Sequence, residues 1–219
     1  TPLDASDDNY FQRQSVSYFK GDKGDEVADY SANYKTNTAD LRSVSVNFYA
    51  GNKRAVDATA DDAMVMSVAY SKDFSLSTVA GITATDAGTD LVNRTSKTFF
   101  KNDKGDEVAD YSANYKKSTN DLRSVSVNFY AGNKRALNAT ADDAMTMSVA
   151  YSKDFILSTV TSITATDDTA NLQNRTAKTF FSGDKGDEIA NYSENFKKGL
   201  TTVRSTSVNF YEKWIDANS

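Results

Sequence analysis

The sequence contains no cysteine and no histidine among its 219 residues. Without cysteine the chain has no disulfide, no thiolate metal site and no thioether-linked prosthetic group. Without histidine it lacks the usual general base and the commonest metal ligand. There is also no glycine-rich phosphate loop or other recognisable catalytic motif. We therefore predict that the protein is not an enzyme and holds no metal or other cofactor.

Long apolar runs and a basic stripe are also missing. No stretch of about 18 apolar residues occurs, so no helix is predicted to span a membrane. The 25 basic residues are interspersed among 30 acidic ones, and the net charge is −5. This balance does not favour nucleic-acid binding. The sequence starts at Thr1 rather than Met, from which we expect that a leader or transit peptide has been removed.

The sequence consists of one repeat that occurs almost three times. Two consecutive copies of 81 residues, 20–100 and 101–181, differ at 16 positions. Three units of 57 residues alternate with two connectors of 24 residues: units 1–57, 82–138 and 163–219, connectors 58–81 and 139–162. Repeats of this kind give a chain several equivalent surfaces. Such surfaces suit a partner that itself repeats, for example one with threefold symmetry, better than they suit one asymmetric active site.

Apolar spacing within a unit favours short helices. Val27, Tyr30 and Tyr34 lie at i, i+3 and i+7, which is a helical stripe. The preceding sequence, Gly-Asp-Lys-Gly-Asp-Glu at 21–26, is predicted to end one helix at Gly24 and to begin the next. Residues 90–101 are predicted to form the first helix of a unit.

Residues 40–50 fit two periodicities. Leu41, Val44 and Phe48 continue a helical frame, but residues 43–48 also alternate between polar and apolar as a strand does. We favour the helix, because no hairpin turn flanks the stretch. The strand remains the alternative.

The connectors are predicted to be helices as well. Met64, Val65, Val68 and Ala69 recur at helical spacing, and Thr59 is a suitable N-cap. The expected fold is therefore all-α, with short helices arranged as a compact bundle or a repeat array with pseudo-symmetry. In the third copy Trp214 and Ile215 replace Asn52 and Lys53, as expected for a terminal cap.

The candidate sites are residues for non-catalytic contacts with a partner. Arginine recurs at two positions of each unit, and its guanidinium can bind a carboxylate through two hydrogen bonds. Tyrosine recurs beside phenylalanine in each unit, and aromatic residues are enriched in interfaces. For the arginine at position 42 the alternative is a solvated charge, or a local ion pair with Asp40, that contributes little. The candidate partner-binding residues are Arg42, Arg123, Arg204, Tyr49, Tyr130, Tyr211, Arg13, Arg94 and Arg175.

Residues 42–51, repeated at 123–132 and preceded by Tyr-Ser-Ala-Asn-Tyr-Lys, resemble the internally repeated helical linkers of red-algal phycobilisomes. Phycoerythrin γ-type rod linkers are the nearest comparison. In that family helical repeats fill the central hole of phycobiliprotein hexamers, and cysteines carry bilins. This chain departs from the family because it has no cysteine and is acidic rather than basic.

The resemblance implies a colourless structural linker that stabilises phycobiliprotein (phycoerythrin) hexamers. It would lie on the stromal side of the thylakoid membrane in the chloroplast, and any chromophore that it contacts would belong to the partner. The alternative is a secreted or cell-surface repeat protein for adhesion. That alternative is suggested by four Asn-x-Ser/Thr sequons, at Asn93, Asn138, Asn174 and Asn191.

Overall fold

The computed structural model describes residues 13–166 and 172–211. Over these residues the chain forms one antiparallel sheet of eleven strands, in which each strand pairs with the next along the sequence. The strands are β1 (Ser15–Lys20), β2 (Val27–Tyr34), β3 (Leu41–Tyr49), β4 (Met64–Ser71), β5 (Arg94–Lys101), β6 (Val108–Tyr115), β7 (Leu122–Tyr130), β8 (Met145–Ser152), β9 (Arg175–Ser182), β10 (Ile189–Phe196) and β11 (Val203–Val208).

The strands follow the sequence repeat. Each 57-residue unit supplies three strands, and each connector supplies the fourth, β4 or β8. Strands β3, β7 and β11 are therefore equivalent, as are β1, β5 and β9. The substitutions Trp214 and Ile215 lie outside the described residues.

The prediction of an all-α fold is wrong, since the segments expected to be helices are strands. In residues 43–48 the alternation was the valid signal: Val44, Val46 and Phe48 are fully buried, and Ser45 and Asn47 between them are only partly buried. Side chains that alternate between two faces are the mark of a strand with one face in the core.

The helical stripe in residues 27–34 arises from a β-bulge. Tyr18 pairs with Tyr30 and Phe19 pairs with Ala28, so Asp29 is an extra residue in β2. The bulge shifts the alternation, and buried positions fall at 27 and 29 and then at 32 and 34. A strand with one bulge therefore contains an i, i+3 step that imitates a helix.

The connector helices are also replaced by strands. In β4 the inward residues are Met66, Val68 and Tyr70, at a period of two. Thr59 does not cap a helix; its backbone N–H donates to the Asp62 carboxylate at 2.8 Å within a turn. The polar residues before β4 thus reverse the chain rather than start a helix.

The Gly-Asp-Lys-Gly-Asp-Glu segment is the hairpin turn between β1 and β2. Gly21 and Gly24 both have φ of +100°. The Asp25 N–H donates to the Asp22 carbonyl at 3.0 Å, and the Gly24 N–H donates to the Glu26 carboxylate at 3.0 Å. The sequence predicts a helix start in this segment, but the Glu26 carboxylate accepts a hydrogen bond that closes the hairpin turn.

One face of the sheet is covered by the chain that follows β4. Phe74, Val79 and Ile82 in this stretch are buried against Val44 and Val46 of β3, among other core residues. The second copy repeats the arrangement after β8. The stretch contains a 3₁₀ helix, Leu76–Gly81. The loop between β4 and β5 and the described part of the loop between β8 and β9 thus form a second layer. No helix or strand of residues 13–166 and 172–211 forms a layer on the opposite face of the sheet.

The helices whose bounds the structure gives are short 3₁₀ helices, of three to six residues: Ala50–Asn52, Leu76–Gly81, Gly88–Leu91, Ala131–Asn133, Ala136–Asn138 and Leu157–Ser162. Among the described residues none is long and apolar enough to cross a membrane.

Candidate partner-binding surface

The uncovered face of the sheet is lined by small polar side chains. Ser17 pairs with Ser31, and Ser31 pairs with Ser45 across β1, β2 and β3. Because cross-strand partners share a face, these rows lie opposite the core. We call the surface the open face and define it by three equivalent sets: Ser31, Asn33, Ser43, Ser45; Ser112, Asn114, Ser124, Ser126; and Ser193, Asn195, Ser205, Ser207.

Hydrogen bonds hold the open face in one geometry in all three copies. The Asn33 amide donates to the Ser43 hydroxyl at 3.1 Å, and the equivalent distances are 3.1 Å for Asn114 to Ser124 and 3.2 Å for Asn195 to Ser205. Cross-strand hydroxyl pairs add a second repeated contact: Ser17 with Ser31, Thr98 with Ser112 and Thr179 with Ser193, each at 2.9 Å. The face is therefore a fixed array of hydroxyl and amide groups.

Arg42 lies at the edge of this array. Tyr34 pairs with Leu41 and Asn33 pairs with Ser43, so Arg42 is the extra residue of a bulge. It is exposed and lines a shallow hollow that also includes Asn33 and Ser43. The bulge therefore holds the guanidinium beside the polar array rather than in the core.

The second and third copies repeat this placement. Arg123 is exposed and lines a hollow with Ser96, Asn114 and Ser124. Arg204 is exposed in β11, next to Ser205. Arg42, Arg123 and Arg204 therefore occupy equivalent places in the sheet.

These three guanidinium groups have no hydrogen bond or ion pair within the described part of the chain. The ion pair of Arg42 with Asp40 does not form, because Asp40 pairs with Lys35 at 3.3 Å. In the second copy Asp121 pairs with Lys116 at 3.4 Å. Each arginine is thus available to a partner.

The other arginine set contacts the protein itself. Arg94 is fully buried, forms an ion pair with Asp86 and lies 4.0 Å from the centre of the Tyr115 ring. It donates to the Asn120 side chain at 2.7 Å and to the Thr119 carbonyl at 3.0 Å. These contacts join the start of β5 to the turn between β6 and β7.

The two equivalents of Arg94 make the same stacking contact. Arg175 is 1% exposed and lies 3.8 Å from the Phe196 ring centre, and Arg13 lies 4.0 Å from that of Tyr34. The structure places Arg13, Arg94 and Arg175 against the chain's own aromatic rings and does not bring them to the open face.

The three candidate tyrosines differ in burial. Tyr49 and Tyr130 are buried, and their hydroxyls donate to the Ala28 and Ala109 carbonyls at 2.5 and 2.6 Å. Burial raises the pKa of Tyr130 to about 12. Tyr211 makes the equivalent bond to the Ala190 carbonyl at 2.7 Å, but it is 56% exposed. Tyr211 alone in this set is accessible to a partner.

Two features of the structure, the polar array of the open face and a pair of buried ion pairs, were missed in the sequence. The polar array could have been found from the alternating serines of residues 43–48, which recur in each copy, once a strand was assumed. The buried ion pairs of Arg54 with Asp29, at 2.7 Å, and Arg135 with Asp110, at 2.8 Å, join residues 25 apart. No local spacing signals such a pair.

The sequons differ in accessibility. The side-chain amides of Asn93 and Asn174 donate to the Asp73 and Asp154 carbonyls at 2.7 and 2.9 Å, and Asn174 is buried. Asn138 and Asn191 are exposed. A glycan would therefore fit the folded chain at Asn138 and Asn191.

The chemistry that the open face offers is hydrogen bonding and positive charge. Within residues 13–166 and 172–211 no group of three or more His, Cys, Asp or Glu side chains is arranged to hold a metal ion. No protein-family model, curated protein or solved structure matches the chain.

Proposed function

We propose that this protein is a non-catalytic binding protein whose units engage a partner that itself repeats. The observation that carries the proposal is the exposed, unpaired arginine that recurs beside an Asn–Ser pair at Arg42, Arg123 and Arg204. A guanidinium beside neutral hydrogen-bonding groups suits a carboxylate, which it can bind through two parallel hydrogen bonds. The partner therefore presents carboxylates at intervals.

The spacing of the arginines favours an extended partner. Equivalent arginines are four strands apart, which is about 19 Å at the usual strand separation. The usual twist between neighbouring strands adds a rotation of roughly 80–100° from one arginine to the next. Among the described residues β1 and β11 do not pair with each other, so the units succeed one another along an open sheet. A polymer that follows such a path can meet all three arginines.

The contacts are short-ranged rather than steered by overall charge. The net charge is −5, so at a distance the chain repels a polyanion. Attraction begins where a carboxylate comes within a Debye length of an arginine, about 8 Å at physiological salt. Avidity from three linked contacts then supplies the affinity.

Phycobiliprotein hexamers, the partner that the resemblance implies, remain a prediction, as does a chloroplast location. The mode of binding cannot be the one known for the linkers, because an eleven-stranded sheet does not supply helices to fill the hexamer centre. Co-sedimentation of the chain with phycobiliprotein-rich particles tests this identity, and glycan mass on the mature protein favours the secreted alternative.

The test of the proposal is binding to immobilised polygalacturonate and poly-L-glutamate, with dextran as the uncharged polymer. We expect the parent chain to bind at least one of the two polyanions and not dextran. Each single change of Arg42, Arg123 or Arg204 to Ala should weaken binding roughly 10- to 150-fold, because a charge-assisted hydrogen bond contributes roughly 1.5–3 kcal/mol. The triple variant should lose binding, because valency is lost with it.

The matched control changes Lys23, Lys104 and Lys185 to Ala. These lysines are exposed in the three hairpin turns, and their removal lowers the net charge by the same three units. We expect this variant to bind as the parent does. If the triple arginine variant is folded by circular dichroism and still binds like the parent, the arginines are only solvated surface and the proposal is wrong.

A further inference from the structure

The outer edge of β11 carries an apolar patch that is covered in the other two copies. In the second copy Val127 and Phe129 are fully buried, and Tyr130 is 4% exposed. Their equivalents Val208, Phe210 and Tyr211 are 54%, 91% and 56% exposed. The residue types are the same, so the difference comes from what surrounds the strand. In the second copy that is β8 together with the covering residues Phe155, Val160 and Ile163.

In the other two copies the equivalent edge pairs with a strand of one type, β4 or β8. Strand β3 pairs on this edge with β4, and β7 pairs with β8. Among the described residues β11 pairs with β10 alone. Within residues 13–166 and 172–211, no strand of the β4 and β8 type therefore pairs with the outer edge of β11.

At the opposite edge of the sheet, too, no described strand occupies the position of β4 or β8. Strands β5 and β9 pair with β4 and β8, whereas their equivalent β1 pairs, within the described chain, only with β2. Tyr18 and Phe19 at that edge are 38% and 56% exposed. The strand type of β4 and β8 pairs with an equivalent of β11 on one side and with an equivalent of β1 on the other. The outer edges of β11 and β1 are therefore the two surfaces against which such a strand packs.

We propose that the outer edge of β11 binds an extended segment of another polypeptide that has the residue pattern of β4 and β8. In that pattern Met, Val and Tyr alternate with Ser and Ala, as in Met-Ser-Val-Ala-Tyr-Ser at 147–152. The segment adds to the sheet as an antiparallel strand, so main-chain hydrogen bonds hold it and its alternate side chains select it. The inference does not depend on the arginine sites.

The backbone of β11 is suitable for such an addition. The Asn209 N–H donates to the Asn191 carbonyl of β10 at 2.9 Å. Because N–H groups alternate in direction along an antiparallel strand, those of Thr206 and Val208 point to the outer edge. These two groups are the donors that the added strand would use.

The register follows from the second copy. Val127 pairs with Val149, and Phe129 pairs with Met147. The added segment would therefore place its Val opposite Val208 and its Met opposite Phe210. This half of the contact is apolar on both sides, as it is in the buried pair of β7 and β8.

The other half of the contact has changed in the third copy. Val125 and Ala113, both fully buried, are replaced in equivalent positions by Thr206 and Glu194. Tyr151 pairs with Val125, so the Tyr of an added segment would lie opposite Thr206. We therefore expect the segment's Met and Val to dominate the binding and its Tyr to contribute little.

The test uses a fluorescein-labelled peptide with the sequence of residues 144–155 and the full chain, with fluorescence anisotropy as the readout. We expect saturable binding that a scrambled peptide does not show. Replacing the peptide's Val149 with Ser should weaken binding at least tenfold, whereas replacing its Tyr151 with Ser should change it less than threefold. No saturable binding, or equal effects of the two replacements, would overturn the proposal.

A pair of proline variants of the chain locates the peptide. Thr206→Pro removes an outward N–H from β11 without removing a bond to β10, since proline is tolerated at such edge positions. Ser17→Pro does the same at the outer edge of β1, where the Tyr34 N–H bond to the Gln14 carbonyl places the Ser17 N–H outward. We expect Thr206→Pro to abolish binding and Ser17→Pro to leave it. The reverse result would contradict the assignment to β11.

Self-association is the competing outcome. We expect the chain without peptide to sediment as a monomer. If it forms dimers that Thr206→Pro dissociates and that excess peptide does not, a second copy occupies the edge and the proposal is wrong.

Discussion

Arg94 is a charged side chain that is fully buried, and its contacts explain why the chain tolerates it. Its guanidinium pairs with Asp86, donates to the Asn120 side chain and stacks on Tyr115. Lys97, also buried, lies 2.5 Å from the same Asp86 carboxylate. Two cations thus share one carboxylate, and the cluster joins the loop between β4 and β5 to the turn after β6.

We predict that Arg94→Ala destabilises the protein by about 3 kcal/mol, because removing one member of a buried ion pair leaves its partners uncompensated. Arg94→Lys should recover only part of this loss, since lysine lacks the planar fork that serves several acceptors. Urea denaturation measures both values. Arg42→Ala is the control and should lie within about 0.5 kcal/mol of the parent, as exposed positions do. A similar effect of the two alanine variants would contradict the account.

Asp90 gives the protein a titratable contribution to stability. Burial raises the pKa of this carboxyl, but hydrogen bonds from the Thr83 hydroxyl at 2.5 Å, the Thr83 N–H at 2.7 Å and the Thr85 hydroxyl at 2.9 Å outweigh burial and hold the pKa below its ordinary value. A lowered pKa in the folded state stabilises the protein above the unfolded pKa, about 3.9, and the contribution is lost as the pH falls through the folded pKa.

We therefore expect Asp90→Asn to be less stable than the parent at pH 7, with the difference shrinking below about pH 4. Urea midpoints of both proteins at pH 7 and pH 3 measure this. A difference that stays constant with pH would show that the carboxylate charge plays no part.

At the scale of elements, the hairpin turns differ in how strictly they require glycine. Gly21 has φ of +100°, and a Cβ atom there would lie 2.5 Å from the Asp25 carbonyl oxygen. Gly24 has the same φ but open space around it. In the second copy Asn102 replaces Gly21 with φ of +81°, and its amide donates to the Ala139 carbonyl at 2.7 Å.

We predict that Gly21→Ala lowers stability more than Gly24→Ala, since alanine is strained at positive φ in both positions and only the Cβ at position 21 also clashes with the backbone. Gly24→Ala should cost about 1 kcal/mol. Thermal unfolding of the two variants decides. An equal loss would mean that the turn relaxes away from the clash.

The elements also show what the sequence could predict. The 81-residue repeat is visible in the sequence, because it depends only on residue identity. The prediction that the segment at residues 21–26 joins two helices is wrong, since this segment is the hairpin turn between β1 and β2. The choice between helix and strand failed in residues 27–34, where the bulge at Asp29 converts a period of two into an i, i+3 step. It also failed in β4, where the spacing of Met64, Val65, Val68 and Ala69 fits a helix. The buried residues of this segment are Met66, Val68 and Tyr70, which recur at a period of two.

The candidate site was predictable to a similar degree. The recurrence of Arg42 and its equivalents is visible in the sequence, but the sequence does not distinguish this exposed set from the buried set of Arg94. That difference depends on Asp86 and Tyr115, which reach Arg94 only through the pairing of strands. Likewise the serine array becomes a surface only when neighbouring strands set its register.

At the scale of the whole molecule, the sheet is a row in which each strand contacts mainly the strands on either side. Stability in such a row is local, and its least covered end should open most readily. Strand β7 is largely buried and paired on both edges, whereas every residue of its equivalent β11 is exposed.

We expect backbone amides of β11 to exchange with solvent much faster than those of β7, although the two strands share most of their sequence. Hydrogen–deuterium exchange followed by mass spectrometry measures this. Adding the peptide of residues 144–155 should slow exchange in β11 alone. Equal protection of β7 and β11 in the free chain would show that the sheet opens as one unit.

Each 81-residue copy contributes four strands, which is an even number. This even number determines what happens to the arginine sites when a copy is gained or lost. In an antiparallel row every second strand runs the same way, so a step of four strands returns the chain to the same direction. Arg42, Arg123 and Arg204 therefore all lie at one end of the strands. A copy of three strands would have sent successive arginines to opposite ends. Gain or loss of a whole 81-residue copy thus adds or removes one arginine of this set and leaves the others at the same end of their strands. The number of arginine sites can therefore vary while their arrangement stays the same.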